Sequence, residues 1–409
     1  MSEKTAIASK GIFSHLKGDK AVWAIAALLA VFSFIPVYSA SSNIAYLYGD
    51  GGTFKFLVEH FIHLFLGFGI IYAVHKIPYR YFKGLSILLL PFIIVLLIYT
   101  LAQGTTIGGA NASRWIQVPI VNMSFQTSTL AAVVLMIYVA RYLSKIHGEI
   151  ISFKKTILPL WIPVFSVLIL ILPANFSTTA LIFVNVMILV FLGGYPWKYL
   201  GIILGGGILV LSIFVLSAKA FPGVFPNRVD TWISRIESFA SESPEDNYQN
   251  EKAKIAIATG GITGIGIGKS VQRNFLPQSS SDFIYAIIIE EMGLIGAFGV
   301  MLAYLLLLFR LVIIATKSDS VFGKLLVIGV GLPIIFQAFI NMGVAVELFP
   351  VTGKTLPLIS AGGSSIWTTC IALGILLSVS ARREALKQQE TEEYLKETEN
   401  PLDVLSEAI

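Results

Sequence analysis

Charged side chains are scarce in this chain, and the few that fall inside or beside apolar runs are the candidates for chemistry. Asp282 stands in Ser280-Ser281-Asp282-Phe283-Ile284-Tyr285, at the start of a long apolar run. A carboxylate there can serve as a general base, or Asp282 or Ser281 can merely cap the helix that follows. Glu290 and Glu291 follow in the same run, about 12 Å further along a helix that rises 1.5 Å per residue. At about 100° per residue, Glu290 falls roughly 80° from the Asp282 face and Glu291 nearly opposite. Both cannot face lipid, so at least one is expected to face the protein interior.

Cations that could hold a phosphate are equally few. Arg114 precedes Trp115, Arg228 and Arg235 flank an amphipathic stretch Trp232–Phe239, and Lys354 follows Pro350-Val351-Thr352-Gly353. Guanidinium groups hold phosphate by paired hydrogen bonds, although Arg228 and Arg235 could equally anchor the chain at lipid headgroups. Lys269 and Arg273 follow the glycine-rich run Gly260–Gly268, whose backbone amides could approach an anion, without a Walker or dinucleotide pattern. His60 and His63, with Glu59, have a spacing that suits either a metal or interfacial packing, and no third ligand is fixed. No Ser-His-Asp set, Cys/His metal box or nucleotide-binding motif is present, which argues against ATP-driven transport by this chain alone.

The elements that must position these residues are membrane helices. Of 409 residues, 56% are apolar and 13% charged, about half the ~25% charge of soluble domains. So much apolar surface requires lipid as its solvent. Spans of the ~20 residues needed to cross a bilayer are expected at Ala21–Ala40, Phe56–Val74, Leu85–Leu101, Phe125–Leu143, Thr156–Leu172, Ser177–Gly193, Leu200–Ala218, Phe283–Phe309, Leu325–Ile340 and Ser365–Ala381. The fold class is therefore all-α and polytopic, with about ten transmembrane helices. Cys370 is the only cysteine, so no intramolecular disulfide forms. No cleavable signal is recognised, and the first span is its own insertion signal.

The loops alternate in charge. Lys76, Arg80 and Lys83, then Arg141, Lys145, Lys154 and Lys155, then Arg310, Lys317 and Lys324 fall on one side, with Arg382 and Arg383. The positive-inside rule puts that side and both termini in the cytoplasm. It also accounts for the net charge of +5 without nucleic acid. The expected organisation is a cytoplasmic segment 1–20, a membrane domain 21–383 and a cytoplasmic tail 384–409. One large outer loop, 219–281, interrupts the membrane domain, and a loop that long is usually functional or disordered. The Glu-rich tail reads as a solvated extension or a docking segment for a cytoplasmic partner.

Several longer motifs now stand in order: Gly264-Ile265-Gly266-Ile267-Gly268-Lys269-Ser270-Val271-Gln272, Leu276-Pro277, Asp282-Phe283-Ile284-Tyr285 and Glu290-Glu291-Met292-Gly293. Asn341-Met342-Gly343, Pro350–Pro357 and Ser360-Ala361-Gly362-Gly363-Ser364-Ser365 follow. Ser113-Arg114-Trp115-Ile116 occupies the second outer loop, and Arg235-Ile236 with Tyr248-Gln249 the long one. In these the chain resembles the SEDS family (shape, elongation, division and sporulation). Tyr38-Ser39-Ala40-Ser41 and the glycine-rich form bring it closer to the division branch, FtsW, than to the elongation branch, RodA. Three positions depart from the family's pattern. Thr129 and Ala132 replace a Glu and a Lys in the fourth span that opens at Gln126, and Asn175 replaces an Asp. Losing all these charges together avoids stranding one in a low-dielectric interior, and a polar network centred on Thr129 and Asn175 is expected instead.

The resemblance implies a peptidoglycan glycosyltransferase, a lipid II polymerase at the outer face of the bacterial cytoplasmic (inner) membrane. It implies Asp282 as the essential aspartate and a class B penicillin-binding protein as transpeptidase partner, with other divisome proteins. Arg114, Arg228, Arg235 and Lys354 are expected to face the pyrophosphate, with a divalent cation, Mg2+ or Mn2+, as a candidate helper. Glu290, Glu291, Gln126, Thr129, Asn175, Tyr248, Gln249, Ser364 and Ser365 are the supporting candidates. The rival readings are a lipid II flippase and a non-catalytic scaffold that activates the transpeptidase.

Overall fold

The computed structural model describes residues 16–48, 52–103, 115–118, 123–220, 248–276 and 278–406. The bundle opens with α1 (Lys20–Tyr48), α2 (Gly52–Val74) and α3 (Tyr81–Gln103). A short antiparallel hairpin, β1 (Trp115–Val118) with β2 (Met123–Gln126), pairs Trp115 with Gln126. It leads into α4 (Thr127–Lys145). Next come α5 (Phe153–Ile171), α6 (Phe176–Leu192) and α7 (Trp197–Ala220). The helix α8 (Tyr248–Gly260) precedes α9 (Ile284–Thr316), α10 (Val321–Ala345) and α11 (Gly363–Ser406).

Among the described residues, nine helices are long and apolar enough to cross a membrane. The expected sixth span is present as α6, but its 17 residues reach only about 25 Å, short of the ~30 Å hydrocarbon core. The hairpin departs from an all-α reading, and it moves the start of the fourth span from Phe125 to Thr127. Extended backbone ahead of a span is tolerated where it lies at the interface or against protein. The Glu-rich tail is a continuation of α11. Of the long outer loop, the amphipathic stretch Trp232–Phe239 lies outside the described residues.

Lipid explains the distribution of side chains. Leu88, Phe92 and Val95 of α3 and Leu209, Val210 and Ile213 of α7 are exposed, as hydrocarbon-facing residues should be. The buried core instead joins α1, α4, α9, α10 and α11, where Leu29, Leu135, Tyr304, Leu326 and Leu376 meet in one cluster. At the end expected to be cytoplasmic, Arg310 of α9 makes a forked ion pair with Asp19, its Nε 3.1 Å from both carboxylate oxygens. Asp19 also accepts from the amides of Ala21 and Val22 and so caps α1. One carboxylate thus fastens the first span to the eighth.

The decisive local feature is a break in α9. Gly293 adopts φ 66°, ψ −165° inside an otherwise helical run, a conformation that glycine alone takes readily. The break deprives neighbouring amides and carbonyls of helical partners, which in hydrocarbon costs several kcal/mol per group. The glycine-rich segment after α8 supplies the partners. Ile265 and Gly266 donate to the carbonyls of Glu290 and Glu291 at 3.0 Å, and Leu294 and Ile295 donate back to Gly261 and Ile262 at 3.0 and 3.3 Å. A Cβ on Gly260, Gly264 or Gly293 would collide with the opposing backbone. These glycines serve close approach of two backbones.

Gly293→Ala is expected to destabilise the protein by about 2 kcal/mol or more, combining a disfavoured φ with a backbone collision. Gly299→Ala, in the same helix with open space around the new methyl, should be near neutral. Thermal unfolding in detergent checks both, and equal melting temperatures would remove the break as a structural constraint.

Candidate active site

Asp282 lies in a turn ahead of α9, half-buried, with its amide donating to Gln278 O at 3.1 Å. The N-cap of α9 is Phe283, with no side-chain cap bond, so the capping reading of Asp282 or Ser281 does not hold. Because Asp282 is outside the helix, angular extrapolation from it to Glu290 and Glu291 does not hold either. The turn is stitched to the segment between α10 and α11. Ser360 Oγ donates to Ser281 O at 2.6 Å, and Ala361 N donates to Ser280 O at 2.9 Å. A Cβ on Gly353 would sit 3.4 Å from Asp282 Oδ2. The carboxylate therefore abuts the backbone that carries Lys354, whose side chain is largely buried and lines the adjoining cavity.

Glu290 and Glu291 both turn inward and are buried. Glu290 accepts from Ser270 Oγ and from the amides of Val271 and Gln272 at 3.0 and 3.2 Å. Glu291 accepts from Ser39 Oγ of α1 and from Ser270 N at 3.2 Å. Arg273 Nη1 reaches the same Ser39, 2.9 Å from its hydroxyl. The anion that the loop amides approach is thus the protein's own pair of carboxylates. These two acids build the floor that carries the outer loop, and Asp282 stands apart from them. Apolar periodicity alone gave no sign that Ser39 and Ser270 would be their partners.

A cavity of about 60 Å³ opens between α4, α6, α10 and α11. Lys354, Gln337, Ser365, Thr368 and Thr129 line it, with Thr178 and Asn185 of α6 also in the wall. Thr129 donates to Gln126 O at 2.7 Å and lies 3.3 Å from Thr368 Oγ1. Ala132 also faces the cavity, so two of the three departures from the family pattern sit in its wall. Asn175 does not join Thr129. It is the N-cap of α6 and accepts from Thr178 N at 3.2 Å, and no hydrogen bond links it to Thr129 among the described residues. The expected single network is two local ones, because Asn175 faces the open end of its own helix.

Ser365 Oγ lies 2.8 Å from Thr355 Oγ1, and Gln337 donates to Thr355 O at 2.9 Å. Ser364 is buried and its carbonyl accepts from Thr368. Gln337 was missed from sequence, although an amide within an apolar span was a usable signal. Tyr248 and Gln249 open α8. Tyr248 is exposed with Lys252 Nζ 5.3 Å from its ring centre, and neither residue is among those lining the cavity. Arg114, Arg228 and Arg235 lie outside the described residues. His60 and His63 pack, His60 against Ser33 at 2.7 Å and His63 against Trp367. Among the described residues no group of three His, Cys, Asp or Glu could hold a metal.

Comparison with known proteins decides the family. A sequence model for cell cycle proteins of the FtsW/RodA/SpoVE type matches residues 19–385. The chain belongs to this family. Relatives include the probable peptidoglycan glycosyltransferase FtsW of Geobacter metallireducens, 34% identical over 89% of this chain and 95% of that one. The protein of the same name from Coxiella burnetii is 31% identical over 82% of this chain and 88% of its own length. Among solved structures, a chain from work on polymerization and crosslinking by a peptidoglycan synthase complex superposes with a TM-score of 0.69. It is 25% identical and covers 90% of this chain and 98% of its own. Thermus thermophilus RodA gives a TM-score of 0.64 at 24% identity, over 90% and 97% of the two chains, and so shares the fold.

Removing the Glu290 carboxylate strands one hydroxyl and two amides, each worth about 1–3 kcal/mol when buried without a partner. Glu290→Ala should lower the melting temperature sharply, whereas Glu59→Ala, at an exposed position of α2, should leave it within a degree or two. Similar melting of both variants would show that the loop does not depend on this carboxylate.

Proposed function

We propose that this chain polymerises lipid II into glycan strands at the outer face of the cytoplasmic membrane, serving septal synthesis in cell division. Glycosyltransferase activity follows from membership of the family and from relatives named for it over nearly their whole length. The observation that carries the site is the meeting of Asp282 with the Gly353-Lys354 backbone beside a largely apolar cavity that Lys354, Gln337, Ser365 and Thr368 help to line. A base and a cation at one helix-bundle mouth suit a displacement that releases pyrophosphate.

In the reaction, the 4-hydroxyl oxygen of the acceptor lipid II forms a bond to the anomeric carbon of the growing glycan's lipid-linked end. The bond from that carbon to the pyrophosphate oxygen breaks, and its electron pair leaves with undecaprenyl pyrophosphate. Attack from the opposite face inverts the α-linked donor to a β-linked product, so one base suffices and no covalent enzyme intermediate forms. Asp282 takes the hydroxyl proton. Lys354 stabilises charge growing on the leaving group, and Arg114, Arg228 and Arg235 are assigned to the same anion from the outer loops. The described residues build no metal cage. A divalent cation used here would arrive on the pyrophosphate, as Mg2+ commonly does with one or two protein carboxylates.

The arrangement of Lys and Arg in the loops supports cytoplasmic termini, which puts the Asp282 turn outside, where lipid II is polymerised. The proposed partner is a single-span class B penicillin-binding protein that crosslinks the product within the divisome. The likeness to a chain from a peptidoglycan synthase complex supports such a partner.

Polymer formation from labelled lipid II by the purified chain, with its transpeptidase present, tests the reading. Asp282→Asn is expected to reduce the rate by roughly 10²–10⁴-fold, the usual contribution of a general base. Undiminished polymer from the variant would remove Asp282 as the base. Lipid II translocation without any glycan would favour a flippase, and neither activity under any condition would favour a scaffold.

A further inference from the structure

Asp282 and Lys354 are 72 residues apart in sequence, on separate loops, and their spacing must be held by something other than the chain between them. One side chain touches the backbone of both. Asn341, one turn from the outer end of α10, donates from Nδ2 to Asp282 O at 2.7 Å and to Lys354 O at 2.7 Å. It is fully buried. Both amide hydrogens point at carbonyl oxygens, so the opposite amide orientation would set oxygen against oxygen, and the direction of the side chain is determined.

The stitches around it run in register. The carbonyls of Ser280, Ser281 and Asp282 accept in turn from Ala361 N, Ser360 Oγ and Asn341 Nδ2. The first two donors come from the loop itself and would move with it. Asn341 alone comes from a membrane helix, and Gln337, one turn below, anchors the next residue by donating to Thr355 O. Helix α10 therefore presents two amides at i and i+4 that carry Lys354 and Thr355, and the outer one also carries Asp282.

We infer that Asn341 is a positioning residue for the transfer reaction, setting the distance between the Asp282 base and Lys354 through hydrogen bonds to both main chains. The inference rests on the assignment of Asp282 as base. Asn341 makes no proposed contact with substrate, so its loss should act on the chemical step. Misplacing a reacting group by about 1 Å can cost on the order of 100-fold in rate.

The test is steady-state polymerisation of lipid II by the full chain with its transpeptidase, comparing Asn341→Asp, Asn341→Gln, Asn341→Ser and Asp282→Asn, each checked for its melting temperature. Asn341→Asp preserves shape and removes both donors. It should lower kcat by about 10-fold or more with KM for lipid II within about 2-fold of the wild type. Asn341→Gln, which retains two donors on a longer arm, should recover part of kcat, and Asn341→Ser, with one donor, should fall between.

Wild-type kcat in folded Asn341→Asp or Asn341→Ser, alongside an inactive Asp282→Asn, would overturn the positioning role and leave the base assignment standing. A rise in KM at constant kcat would overturn it as well, because that marks a substrate contact. Loss of folded protein in all three Asn341 variants would make the residue structural and end the proposal. Full activity in Asp282→Asn would instead refute the reading on which it rests.

Discussion

Two buried carboxylates and a broken helix set the terms for the whole end of the bundle that carries Asp282. A transmembrane helix normally satisfies its own backbone, and water is absent from the bilayer core to rescue any group left over. At Gly293 the helix α9 gives up that self-sufficiency. The loop after α8 takes over the lost hydrogen bonds on both sides of the break, and Glu290 and Glu291 hold the amides of residues 270–272. Neither partner is tenable without the other. A loop that would otherwise be solvated is thereby docked as firmly as a helix, and Asp282 rises from the same docked unit.

The proposed chemistry belongs to the turn that precedes α9. Asp282 is freed from the helix by the turn at Gln278, and its carboxylate lies against Gly353, where an added Cβ would be 3.4 Å away. The main chain of Lys354, from a different part of the chain, is tied to that of Asp282 by Asn341 of α10. Such an arrangement separates the carboxylates that hold the loop from the one in the turn. The acids at 290 and 291 hold the loop amides, while Asp282 stays half-buried in the turn ahead of α9. The adjoining cavity keeps polar lining from four helices, although positions 129 and 132 carry no charge in this chain.

Much of this was legible in the residues. Apolar runs of span length, the alternation of basic loops and the inward burial of Glu290 and Glu291 all followed from the cost of charge in lipid. The glycine-rich run read as amides approaching an anion, but its own amides bond main-chain carbonyls, and residues 270–272 just after it meet the carboxylates. It gave no hint that the anion was internal, since Glu290 and Ser270 are far apart in sequence. Thr129 and Asn175 were joined on electrostatic grounds, but Asn175 turned to the nearer task of capping α6. The β1–β2 hairpin escaped notice because an apolar Phe125 ahead of a span reads as part of it.

The sequence by itself determined the solvent, the helices and the identities of the charged residues, because hydrophobicity and charge are properties of each residue or of its near neighbours. Tertiary structure alone decided that Glu290 and Glu291 carry a loop and that Asp282 stands apart from them. It also brought Asp282, Asn341 and Lys354 together from three separate segments. The physical reason is that a hydrogen bond acts over about 3 Å, a distance that chain order does not encode for residues separated by two spanning helices.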